Sequence, residues 1–183
     1  AIKGLGGFHL ACDASNSLSV EELRDRKGRI DKPFAVMAAN MDIVLSICNV
    51  SSEVEALLTS RENPIVLLER KPQNERANRV SKWVAPNLDH LGVMLPYTPL
   101  HHLLLNQKDL VLSAEAVPPL LVMTSGNYSE EPIAIDDEDA LQRLAPLTDA
   151  FLVHNREIHM RADDSVVRID HRPSSTLAPG PSA

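Results

Sequence analysis

The sequence predicts a single layered domain of the α/β (α+β) class, in which helices flank a β-sheet. Short apolar runs of strand length alternate along the chain with capped segments of helix length, and no segment is repeated. With 183 residues, of which 44% are hydrophobic, the chain is long enough for one core and short for two. We expect the domain to occupy residues 3–170, and residues 171–183, rich in Pro and Ser, to form a linker or a disordered tail.

The first part of the chain is predicted to contain two strands and three helices. Residues 1–3 are typical of the end of a buried strand, so we expect an N-terminally truncated domain. Ser19 and Glu22 have the spacing of a capping box, which predicts a helix with Ser19 as its N-cap that ends near Gly28. The remaining predictions are a strand at residues 34–38, a helix at 41–48, and a helix at 54–58 that Ser51 or Ser52 begins.

The rest of the chain is predicted to contain five strands and two helices. The run at residues 64–68 is continuously apolar, as in strands that are covered on both faces. Thr98 and Pro99 begin a helix that extends to residue 105, because Pro is favoured in the first turn. Residues 71–80 are polar and predict a loop. The other predictions are strands at residues 91–95, 120–124, 150–154 and 165–170, and a helix at residues 136–144.

Charge and composition narrow the classes of function. The chain is acidic, with a net charge of -7, so a broad nucleic-acid footprint, which needs a basic face, is disfavoured. The sequence has no apolar run near the ~20 residues that span a bilayer and no signal-peptide pattern, which predicts a cytoplasmic protein without membrane attachment. Cys12 and Cys48 have no paired spacing, which disfavours a disulfide framework or a thiolate metal site.

One basic segment, residues 24–37, stands out in this acidic chain and is predicted to bind a small polyanion such as a nucleotide triphosphate. Lys27, Arg29 and Lys32 are spaced so that two or three charges can surround one phosphate chain. The alternative is a solvated helix end whose cations complement the helix dipole. Pro33 favours the functional interpretation, because it stiffens the chain beside Lys32.

A second candidate segment follows the most apolar predicted strand. Residues 123–132 place hydroxyls, a Gly and an Asn at the end of that strand, where open α/β sheets bind ligands. Ser125, Asn127 and Ser129 are candidates to bind phosphate or ribose oxygens, and an ordinary turn is the alternative. For a common site, the helix end before Phe34 and the loop after Met123 have to converge on one concave surface.

Two further segments carry candidate residues. Near the C-terminal end, Asp163, Asp164 and Ser165 enter a predicted strand that bears Arg168; these residues form either an ion-paired strand entry or a site for magnesium and nucleotide. Near the start, residues 3–10 place three glycines at a strand end, where the backbone can approach a ligand closely. A tight turn without a ligand is the more common interpretation of such a run.

Five blocks of sequence, in order, resemble the YrdC-like domain of the HypF family of NiFe-hydrogenase maturation carbamoyltransferases. They are KGLGGFHLACDA (3–14), RKGRIDKPFAVM (26–37), LGVMLPYTPLHHLLL (91–105), TSGNYSEEPI (124–133) and DDSVVR (163–168). The wider superfamily shares the signatures Lys-x-Arg-x-x-Lys-Pro and Ser-x-Asn. Its other branch makes threonylcarbamoyl-adenylate for tRNA modification and has a Thr-Asp-Thr-like turn where this chain has Gly4-Leu5-Gly6, which favours the HypF branch.

The resemblance implies a YrdC-like twisted mixed sheet and an adenylating enzyme that joins carbamate, derived from carbamoyl phosphate, to ATP with Mg²⁺. The carbamoyl group then passes through other domains of the parent chain (acylphosphatase, zinc-finger and Kae1-like) to the partner HypE, where it becomes the cyanide ligand. The residues implied are, for catalysis, Lys27, Arg29 and Lys32; for nucleotide, Ser125, Asn127, Ser129, Ser165 and Arg168; for carbamate, Lys3, Gly4, Gly6, Gly7 and His9; and for magnesium, Asp164.

Two alternatives from other classes stay open at this point. The first is a threonylcarbamoyl-adenylate-type tRNA-modifying or RNA-binding YrdC-like module, which predicts salt-dependent affinity for tRNA. The second is a structural piece that only docks other domains, which predicts that the cations of the basic segment are dispensable for nucleotide binding.

Overall fold

The computed structural model describes residues 1–72, 80–105, 119–129 and 131–170, and these contain seven strands in one sheet. The strands are β1 (Ile2–Lys3), β2 (Phe8–Asp13), β3 (Ala35–Ala38), β4 (Ile65–Glu69), β5 (His90–Met94), β6 (Leu120–Ser125) and β7 (Val166–Val167). Their order across the sheet is β1-β2-β6-β3-β5-β4-β7. The sheet is mixed, because β3 pairs with β5 and β4 with β7 in parallel, whereas the other pairs are antiparallel.

Helices cover both faces of the sheet, so the predicted α/β class is confirmed. They are α1 (Ser17–Lys27), α2 (Met41–Ile47), α3 (Ser52–Leu58), α4 (Pro99–Leu105) and α5 (Asp137–Arg143), with a short 3-10 helix at Ala145–Leu147. None of the helices within the described residues is long and apolar enough to cross a membrane.

The core has two parts because successive side chains of a strand point to opposite faces. On β6, Leu120 and Val122 belong to the larger hydrophobic cluster, whereas Leu121 and Met123 belong to the smaller one. The buried apolar residues of α1, α2 and α3 pack in the larger cluster, and Leu105 of α4 packs in the smaller one. Both faces of β6 are therefore covered by other residues, which explains its continuously apolar sequence.

The structure corrects the predicted start of α1. The N-cap is Asn16, whose side chain accepts hydrogen bonds from the backbone N–H groups of Leu18 and Ser19 at 3.1 and 3.3 Å. The prediction that Ser19 caps the helix was wrong, because Asn16 caps it three residues earlier, so the helix begins at Ser17 and Ser19 lies within its first turn. The predicted end at Gly28 is confirmed, since Gly28 adopts the left-handed conformation with φ 64°.

Three other predictions differ from the structure. Strand β2 was missed, because the glycines before it indicated a turn. The predicted strand at residues 150–154 is reduced to one bridge between Leu152 and Ile2, and the one at 165–170 to the two residues of β7. Most of the predicted loop at 71–80 and all of the predicted tail lie outside the described residues.

Candidate functional site

The end of α1 and the end of β6 meet through the side chain of Lys27. Its ammonium is buried and donates hydrogen bonds to the carbonyl oxygens of Ser125 and Asn127, both at 2.6 Å, and to Oδ1 of Asn127 at 3.0 Å. Three acceptors match the three N–H donors of an ammonium. Burial, and then the charge of Arg29, lowers the pKa of Lys27 to about 8. Lys27 therefore fixes the loop after β6 to the helix.

The segment after Gly28 is held by two arginines. The guanidinium of Arg24 is buried and donates to the carbonyl oxygens of Ile30, Lys32 and Trp83, which orders the turn at residues 29–33. Arg29 donates to Thr124 Oγ1 at 3.0 Å and to the carbonyl oxygen of Pro33 at 2.7 Å. Burial, and then the nearby charge of Arg24, lowers the pKa of Arg29. The basic segment is thus built against the end of β6.

A cavity of about 370 Å³ lies where these two segments converge. One part of its wall comes from the basic segment, and another part comes from the last three residues of β6, Met123–Ser125. Its polar and charged lining residues are Arg29, Lys32, Thr124, Ser125, Asp163 and Asp164. Lys32 is exposed and makes no contact that uses its ammonium within the described residues. The prediction that the helix end before Phe34 and the segment after Met123 lie next to each other is confirmed, since both line this cavity.

Asp164 joins the cavity to a cluster of aromatic and imidazole rings. Its Oδ2 lies 2.9 Å from His9 Nε2, and its Oδ1 accepts a hydrogen bond from the Tyr97 hydroxyl at 2.8 Å. Burial alone raises the pKa of this carboxyl, but the hydrogen bonds and charge of His9, with the hydrogen bond of Tyr97, outweigh it and lower the pKa. The ring of Tyr97 stacks edge-on against His101 at 4.7 Å between centroids. Asp164 is therefore a fixed carboxylate.

The glycine turn before β2 is tightly packed. The backbone N–H of Gly4 donates to the carbonyl oxygen of Gly7 at 2.9 Å, which closes the turn. A Cβ on Gly6 would lie 2.3 Å from the carbonyl oxygen of Ala162, and one on Gly7 would lie 2.3 Å from Ile133 Cγ2. The backbone of residue 162 thus rests directly on the turn, and this contact positions Asp163 and Asp164 beside it.

Several predicted site residues lie outside the cavity, or their polar atoms already bind other residues of the protein. The ammonium of Lys3 is buried in an ion pair with Asp137 at 2.7 Å and also donates to the carbonyl oxygen of His154, away from the cavity. Arg168 lines a different cavity, next to α3. The Asn127 amide already has partners, since its Oδ1 accepts from Lys27 of α1 and from Ser125, and its Nδ2 donates to the carbonyl oxygen of Glu131.

Two other predicted nucleotide ligands, Ser129 and Ser165, do not line the cavity. Ser129 and Ser165 are exposed, and neither lines the cavity of about 370 Å³. Ser165 contributes its carbonyl oxygen to the sheet, where it accepts from the backbone N–H of Ile65 at 2.8 Å. Of the predicted nucleotide ligands, Ser125 alone is among the lining residues within the part of the chain that the structure describes.

The structure adds Thr124, Tyr97 and His101 to the residues that the sequence had indicated as candidates. Thr124 was treated as part of the strand, although a hydroxyl at a strand end is a signal for a polar rim. Tyr97 could have been found from the sequence, because the chain has only two tyrosines and this one follows closely after a predicted apolar strand. His101 is fully buried within α4, and no periodicity argument separates such a residue from core positions.

The carboxylates beside the cavity are candidates to hold a magnesium ion. Within residues 1–72, 80–105, 119–129 and 131–170 there is no group of three His, Cys, Asp or Glu that could hold a metal ion. Both oxygens of Asp164 already accept hydrogen bonds, whereas Asp163 is exposed beside the same cavity. Because Mg²⁺ is commonly bound by one or two carboxylates together with phosphates and water, this set fits an ion that enters with a nucleotide.

The sequence has extensive similarity to known proteins. The Sua5/YciO/YrdC family model, described as "Telomere recombination", matches residues 1–180. Carbamoyltransferase HypF2 of Cupriavidus necator is 49% identical over 179 residues, which cover 95% of this chain and 22% of that protein. The chain thus spans about a fifth of the length of the curated relatives it matches.

Solved structures of HypF and Sua5 proteins are similar to this chain in fold. The crystal structure of full-length HypF in the phosphate- and nucleotide-bound form matches with a TM-score of 0.81 and 48% identity, over 91% of this chain and 24% of that one. The crystal structure of P. abyssi Sua5 complexed with L-threonine matches with a TM-score of 0.73 over 92% of this chain and 46% of that one. At 16% identity, this second likeness concerns the fold alone.

Proposed function

The chain belongs to the Sua5/YciO/YrdC family, and we propose that it is the ATP-binding domain that makes carbamoyl-adenylate in a carbamoyltransferase similar to the HypF proteins. The observation that carries the proposal is the cavity between the basic segment and the end of β6. Two cations, Arg29 and Lys32, line it together with the hydroxyls of Thr124 and Ser125. Such a wall of guanidinium, ammonium and hydroxyl donors suits the oxygens of a triphosphate.

Three cations of the basic segment have different proposed roles, which follow from how buried each side chain is. Arg29 is anchored by Thr124 and Pro33, so its guanidinium is preorganised beside the cavity. Lys32 is exposed and supplies a mobile charge that can follow the leaving pyrophosphate. Lys27 acts as a positioning residue, because its three donors hold the loop at residues 125–127.

The proposed step needs charge neutralisation more than proton transfer. An oxygen of carbamate forms a bond to the α-phosphorus of ATP, the bond from that phosphorus to the bridging oxygen breaks, and pyrophosphate leaves with the electron pair. The carboxylate is ionised at the start, so no general base is required. Arg29 and Lys32 offset the repulsion between two anions, and the rigid walls orient them. Mg²⁺, when bound with the nucleotide, supplies further neutralisation of phosphate charge, and Asp163 is the exposed carboxylate placed to hold it.

The wider reaction belongs to the parent protein. Because the chain spans about a fifth of its HypF relatives, we propose that acylphosphatase, zinc-finger and Kae1-like domains of the same protein supply carbamate and accept the carbamoyl group. The final acceptor is HypE, and the physiological role is maturation of NiFe-hydrogenase. This chain by itself is expected to bind nucleotide and to lack complete carbamoyl transfer.

The proposal is tested by calorimetric titration of the chain with ATP and MgCl₂. Lys32→Ala is expected to raise the Kd for ATP about fivefold, since an exposed charge contributes about 1 kcal/mol. Arg61→Ala removes one charge from an exposed position that lines none of the cavities described above, and serves as the matched control with unchanged affinity. An absence of ATP binding by the folded wild-type chain, or equal Kd values for Lys32→Ala and wild type, contradicts the proposal.

A further inference from the structure

Arg24, in the last turn of α1, is a buried cation that does not line the cavity of about 370 Å³. Its Nη1 donates to the carbonyl oxygens of Lys32 at 3.3 Å and of Trp83 at 3.0 Å, and its Nη2 donates to that of Ile30. These carbonyls belong to the turn at residues 29–33 and to a separate segment of the chain that contains Trp83. One side chain thus fixes the turn to α1 and to that second segment.

The guanidiniums of Arg24 and Arg29 share two partners. The carbonyl oxygen of Lys32 accepts from Arg24 Nη1 at 3.3 Å and from Arg29 Nε at 3.1 Å. The two Cζ atoms lie 5.2 and 5.0 Å from the centroid of the Phe34 ring, which is 1% exposed. At these distances a guanidinium is attracted to the face of an aromatic ring. The place of Arg29 beside the cavity therefore depends on groups that Arg24 also holds.

The positive charges of this pair have no opposite charge next to them. Neither Arg24 nor Arg29 forms an ion pair with a carboxylate among the residues that the structure describes. Two cations that share one carbonyl repel each other, and burial of a charge without a counter-charge is costly. An apolar side chain at position 24 would avoid both costs if packing were the only requirement. An anion in the adjacent cavity would supply the missing negative charge.

We propose that Arg24 is a positioning residue for the anion site, and that it acts by holding the turn at residues 29–33 in the shape that directs Arg29 at a phosphate oxygen. The proposal rests on the proposed function, because the phosphates of ATP are the anion assigned to this cavity. Lysine cannot take over this role, since an ammonium has the same charge but lacks the planar fork of donors that reaches both segments. The fork of Arg24, beyond its charge, then sets the affinity for ATP.

The test is a double-mutant cycle on the Kd for ATP, measured by calorimetry with MgCl₂ on variants that urea denaturation shows to be folded. Arg24→Lys is expected to raise this Kd about tenfold, the result for a turn that keeps its binding shape for about a tenth of the time. In an Arg29→Ala background, the same change is expected to raise the Kd at most about twofold, because the side chain that Arg24 positions is then absent.

Arg143→Lys is the matched control. Arg143 is also a partly buried arginine with several acceptors, and it lines neither of the cavities described above. Its guanidinium donates to Asp139, Glu131 and the carbonyl oxygen of Pro132. Loss of this fork is expected to lower stability and to leave the Kd for ATP unchanged, which is also the result for Arg24→Lys if its role is merely structural.

Two results overturn the proposal while ATP binding by wild type stands: equal Kd values for Arg24→Lys and wild type, or the same fold-change of Arg24→Lys in both backgrounds. If Arg24→Lys does not fold, Phe34→Leu replaces it in the cycle, because it removes the ring that both guanidiniums contact, and the same two results count against the proposal. An absence of ATP binding by folded wild type refutes the proposed function and this inference with it.

Discussion

Replacement of Lys27 by Met tests whether the buried ammonium holds the two halves of the site together. Met retains most of the alkyl chain and removes the three donors. The carbonyl oxygens of Ser125 and Asn127, each 2.6 Å from the ammonium, then lose this partner. A buried acceptor that loses its donor costs about 1–3 kcal/mol. The carbonyl oxygen of Ser125 keeps the backbone N–H of Asn127 as a donor at 3.0 Å, so we count one lost acceptor and expect a loss of about 1–3 kcal/mol in the free energy of unfolding.

The assay is urea denaturation at pH 7, followed by fluorescence of the single Trp and by circular dichroism. Lys82→Met is the matched control, because Lys82 is exposed and its ammonium lies 4.9 Å from the centroid of the Trp83 ring, a contact that contributes about 0.5–1 kcal/mol. A loss for Lys27→Met no larger than that of Lys82→Met would refute the reasoning, since the loop after β6 would then be held by other contacts.

Two further predictions concern stability. Burial, and then the charge of His9, lowers the pKa of His101 from 6.5 to about 4, so between these values the unfolded chain binds more protons and stability falls on acidification. We expect wild type to lose about 2 kcal/mol more than His101→Leu between pH 7 and pH 5 in urea titrations, and parallel pH profiles would argue against this. Asn16→Ala is expected to lower the free energy of unfolding by about 1 kcal/mol and Ser19→Ala by less; the reverse order would restore Ser19 as the cap.

The architecture was largely predictable because its elements carry local signals. The apolar runs that became β3, β4, β5 and β6 bury both faces, and their bounds differ from the predicted ones by at most one residue at each end. The Ser51 cap of α3 and the Gly28 end of α1 follow from residues next to the helices they delimit. The resemblance to YrdC-like domains of HypF proteins is confirmed by the family match and by the identity to those proteins.

The site was less predictable because its contacts join distant parts of the chain. The sequence indicates that Lys27 and the loop after Met123 are polar, but the hydrogen bonds between them span 98 and 100 residues and use the donors that a phosphate was expected to occupy. Similarly, the pairing of Asp164 with His9 and Tyr97 depends on the backbone of residue 162 resting on the glycine turn. Sequence spacing carries no information about such pairings.

The most direct test of the central claim is a crystal structure of the chain with ATP and Mg²⁺. The account predicts that the triphosphate lies between the basic segment and the end of β6, with Arg29 and Lys32 within hydrogen-bond distance of phosphate oxygens and the α-phosphate next to the wall formed by Asp163 and Asp164. A triphosphate bound instead in the cavity beside Arg168, with Arg29 and Lys32 making no contact to it, would contradict the account.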